Sequence, residues 1–320
     1  MTEHYCTLFD STYLMQGLAL IKSIGTYDAE SCVWVLCLDD QVFQAISLLD
    51  NPRVRAIALR SFETELLNEV RSQRSWTEYC WTLGAFFPTY VLDSDEKISQ
   101  VSYIDADCYF FSSPQRLLEP FRRSDASVLI TPHAFDPRFD VHERSGYFCV
   151  QFLTFKNDEP AHMILDWWQA HNLESCHQDL NSDDFADQKC LDQWPVLLGE
   201  DLFIVDDPLL TLAPWNVHYY FDALEDSKEP PCLYHFHGFK MYSNNTTDLY
   251  YYEGINRDIV GLFYEPYLAC LKKIYRALEK HNVEVSFRSP QRNLKRKLTR
   301  VYSQTRGSLG TIRTDWKGCI

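Results

Sequence analysis

The segment Val101-Ser-Tyr-Ile-Asp-Ala-Asp-Cys-Tyr-Phe110 brings two aspartates to the end of an apolar run that is typical of a buried β-strand. Side chains two residues apart in an extended chain point to the same side, so Asp105 and Asp107 converge with only Ala106 between them. Two carboxylates at the rim of a core are costly unless a cation meets them. Because oxygen ligands of this kind suit Mg²⁺ or Mn²⁺, the segment predicts a divalent-metal site that could bind a diphosphate through the metal.

Strand-like and helix-like segments alternate outward from this segment. Besides the run before Asp105, strands are predicted at residues 5–9, 32–38, 54–59, 127–131, 147–155, 202–205 and 232–236. Helices are predicted at residues 13–24, 40–49, 76–92, 160–171, 185–194 and 265–280. This order predicts an α/β fold with a mostly parallel, doubly wound sheet, whose ligands collect beyond the carboxyl ends of the strands. Asp10, Asp39 and Asp105 all follow such ends.

Charge is distributed unevenly over the 320 residues. Residues 281–320 contain nine basic and two acidic residues, a net charge of +7, which leaves −22 for residues 1–280 of a chain whose total is −15. An acidic body disfavours nucleic acid as a partner, because binding to phosphates needs clustered cations. The eleven cysteines are scattered and form no Cys-x-x-Cys pair, which favours reduced thiols over a disulfide framework.

The two ends of the chain bear on its location. Residues 1–6 lead directly into a predicted strand, without the pattern of a signal peptide or a membrane span, so a cytoplasmic location is expected. Near the other end, Leu294, Leu298 and Val301 form one helical stripe beside basic residues, as in a helix lying on the cytoplasmic face of an anionic membrane. A solvated, frayed terminus explains the same stretch.

Two further motifs could complete a metal and diphosphate site. In Tyr234-His-Phe-His-Gly-Phe-Lys240, the imidazole of His235 could ligate a cation, Gly238 lets the backbone approach a phosphate, and Lys240 neutralises it. A buried structural histidine is the alternative. Asp187-Gln188 is the other motif, and by spacing alone a helix-capping aspartate explains it.

Four elements occur in the order found in one enzyme family: Phe9-Asp-Ser-Thr-Tyr13, Tyr103-Ile-Asp-Ala-Asp107 with Phe111-Ser-Ser-Pro114, Asp187-Gln188, and His235-x-x-Gly238-x-Lys240. In them, residues 5–240 resemble retaining glycosyltransferases of the glycogenin and lipopolysaccharide-galactosyltransferase type (family 8). The resemblance implies a Rossmann-like GT-A fold in residues 1–240, which form the catalytic domain. Residues 241–320 are then a helical C-terminal extension with a basic tail.

The resemblance also implies a role for each matching residue. Thr7, Phe9, Asp10, Tyr13 and Ala106 belong to the nucleotide-sugar site, in which Tyr13 stacks on the base. Gly238 and Lys240 bind the diphosphate, and the metal ligands are Asp105, Asp107 and His235. Asp187 positions the donor sugar, and the carbonyl of Gln188 lies under the anomeric carbon as the second catalytic residue.

The sequence departs from the family at three places. Thr82 lies in the helix where relatives have a donor-contacting arginine, which leaves the donor sugar open. Phe148-Cys-Val150 replaces an Asn-Ala-Gly turn of the acceptor wall; Pro214-Trp-Asn216 either fills part of that space or is a buried tryptophan with a turn asparagine. Lys240 lies one residue closer to Gly238 than in relatives, and the proline-tryptophan pair that commonly follows is missing.

The function predicted from these features is transfer of a sugar from a nucleotide-sugar donor, UDP-sugar favoured, to a glycan, lipid-linked or other hydroxyl acceptor. Mn²⁺ or Mg²⁺ is the expected cofactor, and retention of configuration is expected. A haloacid-dehalogenase-type phosphotransferase also uses Asp-x-Asp after a strand, but Tyr109 stands where that class has a hydroxyl residue two places after the second aspartate. A non-catalytic protein that binds a sugar nucleotide is the third possibility.

Overall fold

The computed structural model of the chain describes residues 2–138, 141–177, 186–250, 255–290, 309–314 and 316. The predicted interfacial stripe Leu294, Leu298 and Val301 lies outside these residues, as does Phe185 at the start of one predicted helix. Within the described ranges, no helix is both long and apolar enough to cross a bilayer. The ten cysteines described there are all free thiols.

A seven-stranded sheet forms the centre of the molecule, in the order β3-β2-β1-β4-β7-β6-β8. Six of its strands run parallel and β7 runs opposite to them. Its strands are β1 His4–Phe9, β2 Cys32–Cys37, β3 Val54–Ala58, β4 Gln100–Ile104, β6 Val128–Pro132, β7 Phe148–Lys156 and β8 Leu202–Ile204. The mostly parallel α/β sheet is therefore confirmed.

Two small sheets of three strands each lie beside the large one. The first joins β5 Cys108–Phe110, β9 Thr211–Leu212 and β10 Leu233–His235, and the second joins β11 Lys240–Tyr242, β12 Thr246–Asp248 and β13 Thr311–Arg313. Most of these strands are not predicted from the sequence, because two or three residues are too few to show a period of two.

Helices cover both faces of the large sheet. They are α1 Leu14–Tyr27, α2 Asp40–Ser47, α3 Leu59–Phe62, α4 Glu65–Arg71, α5 Trp76–Asp93, α6 Gln115–Arg123, α7 His142–Ser145, α8 Glu159–Glu174, α9 Trp194–Leu198, α10 Val217–Ser227, α11 Arg257–Ile259 and α12 Glu265–Lys280. Short 3₁₀ turns occupy Ser11–Tyr13, Lys189–Gln193 and Gly199–Asp201, and a π-helical turn at Val260–Tyr264 joins α11 to α12.

The helix predicted at residues 185–194 is wrong in type and extent. A turn at residues 186–188 leads into the 3₁₀ turn Lys189–Gln193, and α9 begins only at Trp194. Pro195 explains part of the difference, since proline fits the first turn of a helix but not its interior. Asp187 and Gln188 are therefore held in a turn rather than on a helix.

The sheet separates two cores. Alternate residues of β1 point to opposite faces, so Tyr5 and Phe9 pack with α1, whereas Cys6 and Leu8 pack with α5. The first core also includes α12, and it continues to Trp316. Buried residues from both sides of position 240 thus share one core, while the boundary between domains at that position stays a prediction.

Gly17 of α1 provides a test of this packing. A Cβ there would lie 2.3 Å from Cε1 of the buried Phe9 ring, whereas a Cβ at Gly25 of the same helix would meet nothing within 4 Å. We expect Gly17→Ala to lower the free energy of unfolding by about 1–3 kcal/mol, because the ring must move within a packed core. Gly25→Ala should raise it by up to about 1 kcal/mol through helix propensity. Urea unfolding of both variants measures the difference, and equal midpoints would contradict it.

Candidate active site

Three adjacent strands end at the same edge of the sheet, each followed by an aspartate. Asp39 follows β2, Asp10 follows β1 and Asp105 follows β4, and these strands are neighbours in the order β2-β1-β4. Asp39 accepts a hydrogen bond from the backbone N–H of Ser11 at 2.7 Å, which ties the ends of β1 and β2 together. The three aspartates therefore lie at the carboxyl edge, where the sequence predicts that ligands collect.

Asp105, Asp107 and His235 form a cluster in which one ligand atom from each residue lies within 4.8 Å of the others. His235 Nε2 is 3.0 Å from Asp107 Oδ1 and 3.9 Å from Asp105 Oδ2. Strand β10 carries His235 to this place, because it pairs antiparallel with β5 and sets His235 opposite Cys108. Two carboxylates and an imidazole suit a borderline divalent cation, so the donor set fits the predicted metal.

Burial and the charges of the neighbouring groups shift the pKa values of all three residues. Burial raises the pKa of the Asp105 carboxyl to about 6. Burial also acts to raise the pKa of Asp107, but the positive charge and hydrogen bond of His235 outweigh it and hold that pKa below its usual value. Burial alone would lower the pKa of His235, yet Asp107 raises it well above its usual value. Without a metal, a proton on His235 therefore offsets the excess negative charge.

The pH dependence of metal binding follows from these protons. A cation that binds His235 must displace a proton from its ring, and Asp105 also takes up a proton near pH 6. Protons and the cation therefore compete for the same groups. We expect the affinity for Mn²⁺ to fall at least about 10-fold between pH 8 and pH 5.5, as measured by calorimetry. An affinity that does not change with pH would contradict this assignment of ligands.

Gln151 orients His235, the candidate metal ligand, and sequence analysis missed it. Its Oε1 lies 3.1 Å from Nδ1 of His235, and the side chain is buried on β7. An amide oxygen only accepts hydrogen bonds, so this contact places a proton on Nδ1 and leaves Nε2 to face the two carboxylates. An uncommon buried glutamine in a strand that neighbours the Asp-x-Asp strand is the signal that could have found it.

Replacing Gln151 should therefore weaken metal binding. We expect Gln151→Leu to lower the affinity for Mn²⁺ by about 10- to 100-fold, because the ring of His235 loses the group that fixes its tautomer. Gln100→Leu is the matched control, since Gln100 is also buried in a strand but donates its hydrogen bond to Glu3. Equal losses in the two variants would show a general effect on folding instead.

The predicted nucleotide residues differ in accessibility. Tyr13 is partly buried at the end of the 3₁₀ turn, whereas Phe9 packs in the core. Thr7 is buried inside β1, and its Oγ1 has no hydrogen-bond partner among the residues that the structure describes. The Asp10 carboxylate accepts hydrogen bonds from Thr12 N–H at 2.9 Å and Trp76 Nε1–H at 2.9 Å. Asp10 thus caps the turn that ends at Tyr13.

The predicted diphosphate residues follow His235, the candidate metal ligand. Gly238 has a φ of +76°, a conformation that favours glycine, and a Cβ there would lie 3.3 Å from the Tyr250 ring. Lys240 begins β11 two residues later. Ala106 is buried between the two carboxylates.

Asp187 lies close to the cluster. A Cβ on Gly84 of α5 would be 3.8 Å from Asp187 Oδ2 and 3.3 Å from the Tyr103 hydroxyl, which donates a hydrogen bond to Asp105. Burial, followed by the charge of Asp105, raises the pKa of Asp187 well above its usual value. The neighbouring Gln188 is partly exposed, and its side chain makes no hydrogen bond within the described part of the chain.

Trp215 and Arg74 lie where the sequence departs from the family. The Trp215 ring packs edge-on against His235 and His237 at 5.3 and 5.6 Å between centroids, and its Nε1 donates to the His133 carbonyl at 2.8 Å. Arg74 donates to the Thr82 hydroxyl and, at 2.9 Å, to the Leu173 carbonyl. A guanidinium thus reaches Thr82 from outside helix α5, in the region where relatives place an arginine within the helix.

Two proteins of Bacillus subtilis are similar to this chain in sequence. No protein-family model matches the chain. It is 29% identical to the uncharacterized protein YfnF of Bacillus subtilis (strain 168) over 258 residues, which cover 77% of this chain and 84% of YfnF. It is 25% identical to the uncharacterized protein YfnD of the same strain over 281 residues, which cover 85% of this chain and 89% of YfnD.

Among solved structures, the galactosyltransferase LgtC in complex with donor and acceptor sugar analogues has a TM-score of 0.52 and 15% identity, over 84% of this chain and 95% of LgtC. The chain has the GT-A fold. An active-site mutant of LgtC with glutamine replaced by glutamate gives a TM-score of 0.53 at 14% identity, over the same shares. The bifunctional glycosyltransferase WbbM also gives 0.53 at 14% identity; the match covers 89% of this chain but about half (52%) of WbbM. The GT-A fold leaves the haloacid-dehalogenase-type prediction without support.

Proposed function

We propose that this GT-A chain is a metal-dependent glycosyltransferase that moves a sugar from a nucleoside-diphosphate sugar, UDP-sugar favoured, to a hydroxyl of a glycan or lipid-linked acceptor. The observation that carries the proposal is the cluster of Asp105, Asp107 and His235 at the carboxyl edge of the sheet. Ligands of doubly wound sheets bind at this edge, and these side chains suit a cation that can hold a diphosphate.

The donor would lie across the ends of β1 and β4. Tyr13 would stack on the base beside Asp10, with Thr7, Phe9 and Ala106 forming the floor beneath. The cluster would hold Mn²⁺ or Mg²⁺, which when bound stabilises negative charge on the departing diphosphate. Lys240 would neutralise the same diphosphate as a point charge, and Gly238 would let the backbone approach it.

The sugar would lie against the turn at residues 186–188. Asp187, buried close to Tyr103, would accept a hydrogen bond from a sugar hydroxyl and orient the ring. The amide oxygen of Gln188 would place a dipole beside the positive charge that develops at the anomeric carbon. An acceptor hydroxyl would then attack on the face that the diphosphate leaves, passing its proton to the leaving phosphate, so that configuration is retained.

Donor turnover tests the proposal directly. The full chain, incubated with a panel of UDP-sugars and Mn²⁺, should release UDP from one of them, because a water molecule can attack the anomeric carbon in place of the acceptor hydroxyl. Chelation with EDTA should stop the release. Tight binding of UDP with no release from any donor would instead identify a non-catalytic sugar-nucleotide-binding protein.

The stereochemical outcome is a second, independent test. NMR of the released or transferred sugar should show the anomer of the donor. Inversion would remove the role proposed for Gln188, since an inverting enzyme needs a carboxylate base opposite the leaving group, by analogy with glycosidases.

A further inference from the structure

We propose that Arg288 is a nucleotide-binding residue, contributed by the segment that follows α12, whose guanidinium covers a base stacked on Tyr13. This inference rests on the proposed function and adds a residue to its donor site. The Arg288 Cζ atom lies over the Tyr13 ring, 6.0 Å from its centroid. The two residues come from opposite ends of the chain, so no local motif connects them.

Backbone hydrogen bonds hold Arg288 in this place. Its N–H donates to the Met241 carbonyl at 3.0 Å, and its carbonyl accepts from Ser243 N–H at 3.1 Å. Arg288 is thus paired with Tyr242 of β11 as in a parallel sheet. The same strand begins with Lys240, which the proposed function assigns to the diphosphate. Arg288 is therefore attached to the strand that carries another donor-binding residue.

A second contact, from helix α2, holds the segment that follows α12 next to the proposed nucleotide site. The Gln41 amide of α2 donates a hydrogen bond to the Glu284 carbonyl, and α2 starts beside Asp39, which accepts from Ser11 N–H. Phe287 packs against the core, whereas Arg288, the next residue, is exposed. The segment thus passes along the carboxyl edge with Arg288 directed away from the core.

The distance between Arg288 and Tyr13 suits a planar ligand better than a direct contact. Stacked groups approach to about 3.5 Å, so a base between two flat groups needs a gap of about 7 Å, and a direct stack needs half of that. The 6.0 Å from Arg288 Cζ to the Tyr13 ring centroid is longer than a direct face-to-face stack. An outward shift of this exposed side chain would admit a base. A guanidinium is flat and stacks on bases, whereas a phosphate placed there would face the negative surface of the tyrosine ring.

The charges around the gap favour a nucleotide as well. Among the residues that the structure describes, the Arg288 side chain makes no hydrogen bond or ion pair. Burial and the charge of Asp107 raise the pKa of the Tyr13 hydroxyl to about 12, while Arg288 acts to lower it, so this cation lies beside an acidic surface. Without such cations, the carboxylates would repel the phosphates of any nucleotide.

Binding of two probes to the full chain in the presence of Mn²⁺ tests the inference. Calorimetry with UDP and with inorganic pyrophosphate would compare the wild type with Arg288→Ala and Arg288→Lys. Arg276→Ala, which removes an exposed arginine of α12, is the matched control. We expect Arg288→Ala to weaken UDP binding about 10-fold and to leave pyrophosphate binding unchanged, because only the base loses a stacking partner. Arg288→Lys keeps the charge but not the plane, so it should resemble Arg288→Ala.

Three outcomes would overturn the inference. UDP binding within twofold of the wild type in Arg288→Ala would show that Arg288 does not touch the nucleotide, while the proposed function would stand. Equal weakening of UDP and pyrophosphate would identify a phosphate ligand instead of a base-covering residue. Failure of the wild type to bind UDP with Mn²⁺ would reject the proposed function itself, and this inference with it.

Discussion

Asp107→Asn is expected to abolish the stabilisation that UDP and Mn²⁺ together give to the folded chain. A ligand that binds only the folded form at 100 times its Kd adds about 2.7 kcal/mol, which should raise the Tm of the wild type by several degrees. The variant keeps the shape of the side chain but removes the charge that lies 3.0 Å from His235. Differential scanning fluorimetry with UDP, Mn²⁺, both and neither measures the effect, and UDP alone should give no shift.

The same variant should lose transfer activity by roughly 10³-fold, because loss of metal stabilisation at the diphosphate removes several kcal/mol from the transition state. Asp226→Asn, an exposed aspartate of α10, is the matched control and should behave as the wild type in both assays. A full Tm shift in Asp107→Asn would exclude the cluster as the metal site. A shift with UDP in the absence of metal would show that the nucleotide binds through other groups.

Gln188→Ala is expected to slow donor turnover by about 10²-fold while the affinity for UDP stays within twofold of the wild type. The proposed amide oxygen acts on charge that exists only in the transition state, so its loss lowers kcat rather than ground-state binding. Rates of UDP release at saturating donor, together with calorimetry of UDP, separate the two quantities.

Gln193→Ala is the control for Gln188. This exposed glutamine lies five residues away, at the end of the 3₁₀ turn that Gln188 precedes, and its removal should change neither quantity. If Gln188→Ala turns over at the wild-type rate, another group stabilises the anomeric carbon. A parallel loss of UDP affinity would instead place Gln188 among the nucleotide-binding residues.

Much of the fold was predictable because its signals are local. The main strands are apolar runs of five or more residues, and their predicted ends lie within two residues of those in the structure for β1, β2 and β3. The capping turn at Asp10 was predictable for the same reason, since an aspartate caps only the residues that follow it. The turn at Asp187 was not, because distant residues hold it: Trp168 Nε1 of α8 donates to the Asp187 carbonyl at 2.9 Å, and the Asp187 side chain lies beside Gly84 of α5.

The same difference between local and long-range signals applies to the candidate site. The sequence by itself determined that two carboxylates follow the apolar strand β4. Their convergence does not come from the period of a strand, because residues 106–107 form a turn in which the Cys108 N–H donates to the Asp105 carbonyl at 3.0 Å. The tertiary structure alone decided that Gln151, 84 residues from His235, orients the imidazole and that Arg288 faces Tyr13. Neither contact has a local signal, because strand pairing and the packing of the segment after α12 bring together residues far apart in the chain.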